Sequence, residues 1–548
     1  MPRMKICSAI GRALFVGLLI IIGLLPAQMV SQAQVPTPTP GITASPTITE
    51  TPGPTPTPAL NTWSAPIAFE RYGWFPDITT DSSGRIHITW SNSVINIIRS
   101  GTESVRQGFD VVLYTSSTDG INWEPINEIA ALRQTVLNNV EVTRPALLVD
   151  SANIMHMTYR DINLWYSQAP VQTVNDANTW LKKRQMNSTS LSYFSRMAED
   201  SQGRLHMVYT EDLPTAECLI CYHLMYRNSD NRGLDWATEA DISIIPTGAA
   251  KPQILVDGED NIHVVWEAGR GGTLGQLTDP TNVMYTVSYN RGESWSTPIE
   301  IRAPGAERGK NPVIGRDGRG NLIIVWWSLP EDMVYYQVSL DNGLSWLQPQ
   351  KLPGVVGLWE VLQTRLDTYT MATDSAGNLH LVLVARTSLT DTNFRILHLT
   401  WDGTAWSSPE TIVSYEGDVP EWPRIAFSNG NQMHVVWYLR PEDFLWTASP
   451  DYYQIWYTNA RVDAPYIAPQ PYPELPSPTP VIPTVTPTDE LVDTPYPTLP
   501  PLNTTLIPEQ IGNDTYTELG QLSVLAVALA PTLLAVGALL AIVLIRRR

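Results

Sequence analysis

Residues 61–462 repeat one short pattern seven times, and this repeat restricts the fold more strongly than any other feature of the sequence. The pattern reads hydrophobic-x-x-Asp-x-x-Gly/Asn-x-Ile/Leu-His-apolar-x-Trp/Tyr. Its copies are Asp81–Trp90, Asp150–Tyr159, Asp200–Tyr209, Asp257–Trp266, Asp317–Trp326, Asp374–Leu383 and Ser428–Trp437, which start 50 to 69 residues apart. Each copy predicts two strands joined by a tight Asp/Gly turn. All-β repeats of this length are typical of the blades of a β-propeller.

A second pattern, Ser-x-Asp-x-Gly-x-Ser-Trp, follows most copies of the first. It is complete at Ser339–Trp346, has Asn for Asp at Ser229–Trp236 and Ser288–Trp295, and is one residue shorter at Ser117–Trp123 and Thr400–Trp406. In a hairpin turn, the Asp or Asn accepts backbone N–H groups, the Gly supplies a positive φ and the Trp buries its ring. We therefore expect structural roles for Asp119, Asn231, Asn290, Asp341, Asp402, Trp123, Trp236, Trp295, Trp346 and Trp406.

The second pattern resembles the Asp box, or bacterial neuraminidase repeat, of sialidase-like β-propellers. The resemblance implies a propeller fold, and it implies that these turns lie away from the active face. Sialidases also carry Arg-Ile-Pro in the inner strand of the first blade, where the Arg binds the substrate carboxylate. The matching stretch in this chain is Trp74-Phe75-Pro76, so Trp74 replaces that Arg.

The ends of the repeat predict how the ring of blades closes. The sequence after a closing Trp, such as residues 295–299 (WSTPI), also occurs before the first full unit at residues 63–67 (WSAPI). The last unit, Ser428–Val462, lacks this strand, and the second unit has only a degenerate second pattern that ends at Trp180. We predict seven blades of four antiparallel strands, with the N-terminal strand completing the last blade. The six blades usual for sialidases are the alternative.

Both ends of the chain have the composition of an exported and membrane-anchored protein. The N-terminus has the basic start, apolar stretch and small residues of a signal peptide, with an uncleaved anchor as the alternative. An uncharged apolar stretch followed by three arginines predicts a transmembrane helix with a cytoplasmic C-terminus. Pro/Thr-rich spacers frame a propeller held at the cell surface. The predicted order is signal peptide 1–33, linker 34–60, propeller 61–462, stalk 463–521, transmembrane helix 522–545 and basic tail 546–548.

Charge and residue usage exclude some partners. The net charge of −19, from 35 basic and 54 acidic residues, argues against nucleic acid, because affinity for phosphates requires clustered Lys and Arg. Six of the eight histidines recur at one position of the first pattern, so we expect packed strand histidines, no metal and no cofactor. In an exported protein, Cys218 and Cys221 are expected to form a local disulfide, with a redox pair or zinc ligation as alternatives.

A binding site is expected in the variable loops of one propeller face. Turns after the first and third strands of each blade share one face, here called the turn face. Loops after the second strands and between blades share the other, the loop face, and the former are long at 91–109, 210–221, 267–282 and 439–451. Arginines there can hold a carboxylate bidentately. The candidate ligand-binding residues are Arg160, Asp161, Glu211, Glu267, Arg386 and Arg440 after second strands, and Arg71, Trp74, Arg144, Arg196 and Glu421 in connecting loops.

Two functions fit these features. The first is recognition of a glycan or a surface protein through the loop face, which the predicted stalks and anchor and the replaced Arg favour. The alternative is a sialidase-like exo-glycoside hydrolase, which requires three inner-strand arginines converging with a Tyr–Glu pair, and an acid/base carboxylate. The expected partners are the membrane, through the C-terminal helix, and a glycan or surface-protein ligand.

Overall fold

The computed structural model describes residues 60, 62–100, 103–134, 143–188, 191–214, 221–243, 248–270, 278–358, 367–444 and 452–472. These residues form 28 β-strands and two short 3₁₀ helices, Ala177–Thr179 and Glu442–Phe444. Within these ranges, no helix is long and apolar enough to cross a membrane. The predicted signal peptide and transmembrane helix lie outside the described residues.

The strands form seven antiparallel sheets of four strands each. The first strand of the chain, β1 (Ile67–Ala68), belongs to the last sheet. The first three blades are β2 (Trp74–Thr80), β3 (Ile86–Ser100), β4 (Glu103–Ser117) and β5 (Asn127–Arg133); β6 (Ala146–Val149), β7 (Ile154–Arg160), β8 (Leu164–Pro170) and β9 (Arg184–Gln185); β10 (Ser192–Glu199), β11 (Leu205–Asp212), β12 (Tyr222–Ser229) and β13 (Ala240–Asp241).

The remaining blades follow the same order from the inner strand outward. They are β14 (Gly248–Val256), β15 (Ile262–Arg270), β16 (Thr278–Ser288) and β17 (Ile299–Ile301); β18 (Arg308–Arg316), β19 (Leu322–Leu329), β20 (Met333–Ser339) and β21 (Gln350–Val356); β22 (Thr370–Thr373), β23 (Leu379–Ala385), β24 (Phe394–Trp401) and β25 (Glu410–Tyr415); β26 (Val419–Ser428), β27 (Gln432–Arg440) and β28 (Gln454–Arg461) with β1. The inner strands contact one another in a closed ring, from β2 through β26 and back to β2.

The N-terminal strand closes the ring, as the sequence predicts. In β1, Ile67 pairs with Tyr457 and Ala68 pairs with Trp456 of β28, in antiparallel register. The last sheet therefore takes its outer strand from the start of the chain. The fold is a seven-bladed β-propeller, and the six-bladed alternative is wrong.

The hydrophobic core lies between neighbouring blades rather than in one central mass. The second strand of a blade is covered on both faces, and its aromatic residues Trp90, Trp266, Trp326 and Trp437 are fully buried. One apolar cluster, for example, joins Val325 and Leu352 of the fifth blade to Leu381 and Leu397 of the sixth. Each blade is therefore stabilised by its two neighbours.

The repeated residues of the turn face connect blades to one another. Asp341 Oδ1 accepts the backbone N–H of Ser345 at 2.8 Å, and Gly343 adopts a φ of 82°. The closing Trp346 packs edge-on against Tyr285 of the preceding blade, with ring centroids 5.0 Å apart. Tyr285 Oη lies 2.8 Å from His263 Nδ1. The same contact between a closing Trp and a Tyr of the preceding blade occurs at Trp123–Tyr457, Trp236–Tyr166, Trp295–Tyr226 and Trp406–Tyr336.

The histidine of the first pattern is buried and hydrogen-bonded on both ring nitrogens in several blades. His87, for example, lies 2.8 Å from Tyr114 Oη and 3.0 Å from Asp81 Oδ2. In the part of the chain that the structure describes, no three His, Cys, Asp or Glu side chains group as metal ligands would. These histidines therefore belong to the packing between strands.

Two further expectations concern loops and cysteines. The long loop predicted at 91–109 is wrong, because β3 and β4 pair without interruption from Ile86–Ser117 to Ser100–Glu103 and form a long hairpin. Cys221 is buried at the start of the third strand of its blade. Cys218 lies outside the described residues, so the disulfide between the two cysteines stays a prediction.

Candidate anion-binding site

Near the start of most inner strands, an irregular backbone step accompanies a side chain that lies toward the propeller axis at the loop face. In five blades, the residue at this step precedes a proline and has a φ between 43° and 58°. A left-handed backbone is uncommon for residues with a Cβ, and a shift in strand register accompanies it, as between Trp74 and Asp77. The residues at this position, twelve before the repeated His position, are Phe75, Arg144, Phe194, Lys251, Asn311, Thr368 and Trp422.

A small pocket with a free volume of about 10 Å³ lies at the axis among these residues. The cations Arg144, Arg196 and Lys251 line it together with the aromatic rings of Tyr193, Phe194 and Trp422. These residues belong to the second, third, fourth and seventh blades. The pocket therefore exists only because the ring is closed.

Arg144 is the cation with the fewest polar partners. Its guanidinium carbon lies 3.9 Å from the ring centroid of Tyr193 and 4.3 Å from that of Phe75. Its Nη2 donates to Tyr193 Oη at 2.9 Å. Nε and Nη1 are buried without a hydrogen-bond partner among the described residues, and no carboxylate of those residues pairs with the group. Two donors of Arg144 are therefore buried without an acceptor among the described residues.

Two more arginines approach the axis from different blades. Arg196 in β10 and Arg424 in β26 lie 3.9 and 3.5 Å from the carboxylate of Asp77 in β2. Arg424 Nη1 donates to Thr368 Oγ1 at 2.6 Å, while its Nη2 is buried without a hydrogen-bond partner in the described part of the chain. A single carboxylate thus faces two guanidinium groups.

Lys251 completes the cationic cluster. Its Nζ donates to Asn311 Oδ1 at 2.6 Å and lies 3.5 Å from Glu267 Oε2. Both Lys251 and Glu267 are buried. The charge of Lys251 is therefore paired with that of Glu267, whereas no carboxylate of the described residues pairs with Arg144.

The electrostatics of this cluster favour an incoming anion. Burial lowers the pKa of Arg144 to about 10 and lowers the pKa values of Arg196, Lys251 and Arg424. For Arg424, the nearby Arg196 lowers the pKa further. Desolvation and like charge both disfavour the charged form of a base. A bound anion would relieve both effects.

Two carboxylates occupy one repeat position in adjacent blades, one residue before the axial side chains. Burial, together with the nearby Glu421, raises the pKa of Asp367 to about 7. Asp367 Oδ1 accepts the backbone N–H of Trp422 at 2.8 Å, and its Oδ2 is buried without a partner among the described residues. Glu421, in contrast, accepts hydrogen bonds from Arg440 Nη2 at 2.7 Å and from Tyr438 Oη.

The structure places some of the predicted binding residues beside the pocket. Glu267 contacts Lys251, and the guanidinium carbon of Arg160 lies 4.8 Å from the ring centroid of Tyr193. Arg440 pairs with Glu421, and Trp74 packs against Phe75, with ring centroids 5.5 Å apart. Arg196, Trp74 and Glu421 lie within inner strands, so the expectation of connecting loops is wrong for them.

The other predicted residues have local partners of their own. Arg386 is fully buried, donates to Gly357 O at 2.8 Å and pairs with Asp332. Glu211 accepts the Ser188 hydroxyl at 3.0 Å, and Asp161 accepts the backbone N–H of Asn163 at 2.7 Å. Arg71 forms a partly exposed ion pair with Glu128 at 3.0 Å. None of these four contacts involves a residue that lines the pocket.

The sequence reasoning missed Lys251, Arg424, Tyr193, Phe194 and Trp422. A signal for the axial position is present, because Phe75, Arg144, Lys251, Asn311 and Trp422 each precede a proline at the same distance from the His position. The residue types differ from blade to blade, so a search for repeated residues overlooks them.

Comparison with known proteins finds distant structural neighbours. No family model and no curated protein matches the sequence. Among solved structures, a family PL25 polysaccharide lyase described as an ulvan lyase shares 11% identity, with a TM-score of 0.47 over 71% of this chain and 95% of that chain. The intramolecular trans-sialidase from Ruminococcus gnavus shares 11% identity, with a TM-score of 0.39 over 73% and 96%.

A third structure, the α-L-arabinanase from Penicillium chrysogenum, shares 11% identity, with a TM-score of 0.37 over 58% of this chain and 92% of that chain. At this level of identity the likeness concerns the fold alone. The predicted resemblance to sialidase-like propellers is confirmed for the fold, which rests on the chain's own seven sheets and their closed order.

Proposed function

We propose that the propeller recognises an anionic glycan through the axial pocket. The observation that carries the proposal is Arg144, a buried cation with two donors that no described residue accepts. An unpaired buried cation is costly, and a carboxylate or sulfate that accepts its N–H groups would offset that cost. The unpaired charge of Arg144 is thus best explained by a ligand whose carboxylate or sulfate pairs with it.

The size of the pocket limits what can enter it. Its free volume is about 10 Å³, which is room for about one water-sized group and far below the roughly 300–1,000 Å³ of sites that enclose a whole ligand. Tyr193, Phe194 and Trp422 line the pocket beside the cations. We therefore propose that only the charged group of an anionic sugar reaches the cations, while the rest of the glycan stays outside.

The setting of this function is also part of the proposal. The signal peptide, the Pro/Thr-rich segments and the apolar C-terminal stretch support an exported, single-pass protein with its propeller outside the cell. A binding module of this kind would meet glycans on the surfaces or in the matrix around the cell.

The test is calorimetric titration of the full chain with defined sugars. We expect saturable binding of sugars that carry a carboxylate or sulfate, such as glucuronate oligosaccharides or sialyllactose, and at least tenfold weaker binding of their methyl esters or neutral analogues. Arg144→Met should remove the preference for the anion. The control is Arg71→Met, at a partly exposed ion pair, which should bind as the parent does. Equal affinity for the acid and its methyl ester would overturn the proposal.

One specific observation supports the alternative, a sialidase-like exo-glycoside hydrolase. Three arginines, Arg144, Arg196 and Arg424, belong to inner strands or precede one, and Tyr438 donates a hydrogen bond to Glu421. The hydrolase interpretation requires three inner-strand arginines that converge with a Tyr–Glu pair, and these side chains are its candidates. The test is fluorophore release from aryl sialosides and other aryl glycosides. Turnover that Glu421→Gln abolishes would establish the enzyme, and binding without turnover would exclude it for those substrates.

A further inference from the structure

The chain continues along the turn face after the last strand of the propeller. Beyond β28, Ile467 N donates to Asn429 O at 2.8 Å and Gln470 N donates to Ser82 O at 2.7 Å. The Asn431 side chain donates to Ala464 O at 3.2 Å. Residues 463–472 therefore lie in extended contact with the turns of the seventh and first blades, although the sequence predicts them as the start of a free stalk.

The last described residue of this segment, Tyr472, makes the most buried contacts. Its Oη donates to Asp81 Oδ2 at 2.8 Å and accepts the Ser83 hydroxyl at 2.9 Å. Its ring packs against the apolar cluster shared by the first and second blades, which includes Val171 and Trp180. The segment thus reaches from the seventh blade to the contact between the first two.

Other blades show what occupies the equivalent place. Arg232, in the turn of the third blade, donates to Asp150 Oδ2 of the second blade at 2.7 Å. Arg291 of the fourth blade donates from Nε to Asp200 Oδ2 of the third at 2.7 Å. Trp401 Nε1 of the sixth blade donates to Asp317 Oδ2 of the fifth at 3.0 Å. In each case the following blade supplies a donor to the turn carboxylate.

In the fourth and sixth blades no described residue of the following blade donates to the turn carboxylate, and Asn261 and Asn378 of the same blade donate to Asp257 Oδ2 and Asp374 Oδ2 instead. The first blade has neither arrangement. Its turn carboxylate is Asp81, and the following blade is the second, whose turn lacks the Ser-x-Asp-x-Gly motif and contains a short 3₁₀ helix, Ala177–Thr179. The donor that reaches Asp81 from outside its blade is Tyr472. The C-terminal segment therefore stands in for the missing turn of the second blade.

We propose that residues 463–472 form a strap, an integral part of the propeller that docks in cis on the turn face and locks the seventh, first and second blades together. The occupant of this surface is the chain's own extended, proline-rich segment, and the specific contact is the Tyr472 phenol on Asp81. Two contacts then close the ring: β1 pairs with β28, and the strap packs on the turns of the seventh and first blades. This inference does not depend on the proposed ligand.

The strap also fixes how the axial pocket is presented. β1 runs from the turn face toward the loop face, so the chain enters the propeller at the turn face, and the strap leaves it there as well. The axial pocket opens at the loop face. The chain therefore enters and leaves the described propeller on the side opposite the pocket.

The test is hydrogen exchange and thermal unfolding of the full chain with Tyr472→Phe, compared with Tyr466→Phe. Tyr466 lies in the same segment but is 61% exposed, which makes it a matched control. We expect the amides of Ile467 and Gln470 to be protected at least 100-fold over an unstructured peptide in the parent. Tyr472→Phe should lose about tenfold of that protection and lower the melting temperature by a few degrees, while Tyr466→Phe changes neither.

A second variant separates docking from the single hydrogen bond. Tyr472→Ala removes the ring as well, so it should bring both amides close to the exchange rate of an unstructured peptide. Unprotected amides in the parent chain, or identical protection in the parent, Tyr472→Phe and Tyr472→Ala, would overturn the strap. Partial loss in Tyr472→Phe and near-complete loss in Tyr472→Ala would support it.

Discussion

The turn face and the axial pocket are built from the same seven repeats, but they differ in how their buried ionisable side chains are paired. On the turn face, Asp257 accepts two backbone N–H groups and lies 3.2 Å from His263, which in turn contacts Tyr285. At the axis, Arg144 and Arg424 keep buried N–H groups without a partner among the described residues. Buried polar groups are normally paired, so each exception requires an explanation.

The difference indicates which region serves the fold and which serves a ligand. The turn residues recur in nearly every blade, because each blade needs the same contact with its neighbour. The axial residues vary from Phe and Trp to Arg and Lys at one structural position. Proteins tend to break local rules at functional sites and to compensate elsewhere. Mutations should therefore separate the two regions.

The largest loss of stability is expected from Trp326→Ala in the scaffold. Trp326 is fully buried in the second strand of the fifth blade and lies over Tyr335, with ring centroids 6.0 Å apart. Removing a buried aromatic ring costs roughly 3–5 kcal/mol of unfolding free energy. Urea denaturation measures this loss. Arg71→Ala is the control, because a partly exposed ion pair contributes about 0–1 kcal/mol. A loss below about 1 kcal/mol for Trp326→Ala would contradict the packing between blades.

A gain in stability at high pH is expected from Asp367→Asn at the axis. The folded-state pKa of Asp367 is about 7, above the unfolded value of 3.8, so the native state binds the proton more tightly. Its contribution to stability is fully present below about pH 4 and is lost as the pH rises through 7. Three pKa units correspond to about 4 kcal/mol, which is the upper limit of the gain that Asn gives at pH 8.

The measurement is the unfolding free energy of both proteins between pH 4 and pH 8. The two curves should converge at the acidic end and diverge above pH 6, with the variant the more stable protein. Parallel curves would show that folding does not change the proton binding of Asp367 in this range, which would contradict its raised pKa.

Much of the fold follows from the sequence because blade contacts are repeated. The closing role of β1 could be predicted from the similarity of residues 63–67 (WSAPI) to segments that follow a closing Trp, such as residues 295–299 (WSTPI). The place of the closing Trp between blades, against a Tyr of the preceding blade, is a tertiary contact that the pattern alone does not give. The repeated residues therefore predict the structure that all blades have in common.

The axial site was only partly predictable because it depends on contacts between blades far apart in sequence. Asp77 meets Arg196 and Arg424 only when the ring closes, and each of the three inner strands that carry these residues has a register shift near its start. Arg144 and Arg196 were expected on the correct face, since both lie near the start of an inner strand. Lys251 and Trp422 were missed because each occurs once at a position whose residue type is not repeated.

Arg144→Met is expected to preserve or raise the stability of the propeller and to weaken ligand binding. Replacing a buried, unpaired cation by an apolar side chain of similar length is often neutral or stabilising by about 1–4 kcal/mol. Loss of its charged hydrogen bonds should weaken the binding of an anionic sugar about 10- to 100-fold. Denaturation and calorimetry on the same preparation measure both effects. A variant that loses stability and keeps its affinity would assign Arg144 to the scaffold.

The smallest effect is expected from Tyr285→Phe on the turn face. Asp257 holds His263 Nε2 as a donor at 3.2 Å, so His263 Nδ1 accepts the hydrogen bond from Tyr285 Oη. Removing that hydroxyl leaves one buried acceptor unpaired, which costs about 1–2 kcal/mol, while the ring continues to pack against Trp346. Ligand affinity at the axis should not change. A changed affinity in calorimetry would show that the turn face and the axial pocket are energetically coupled, and the division between them would no longer hold.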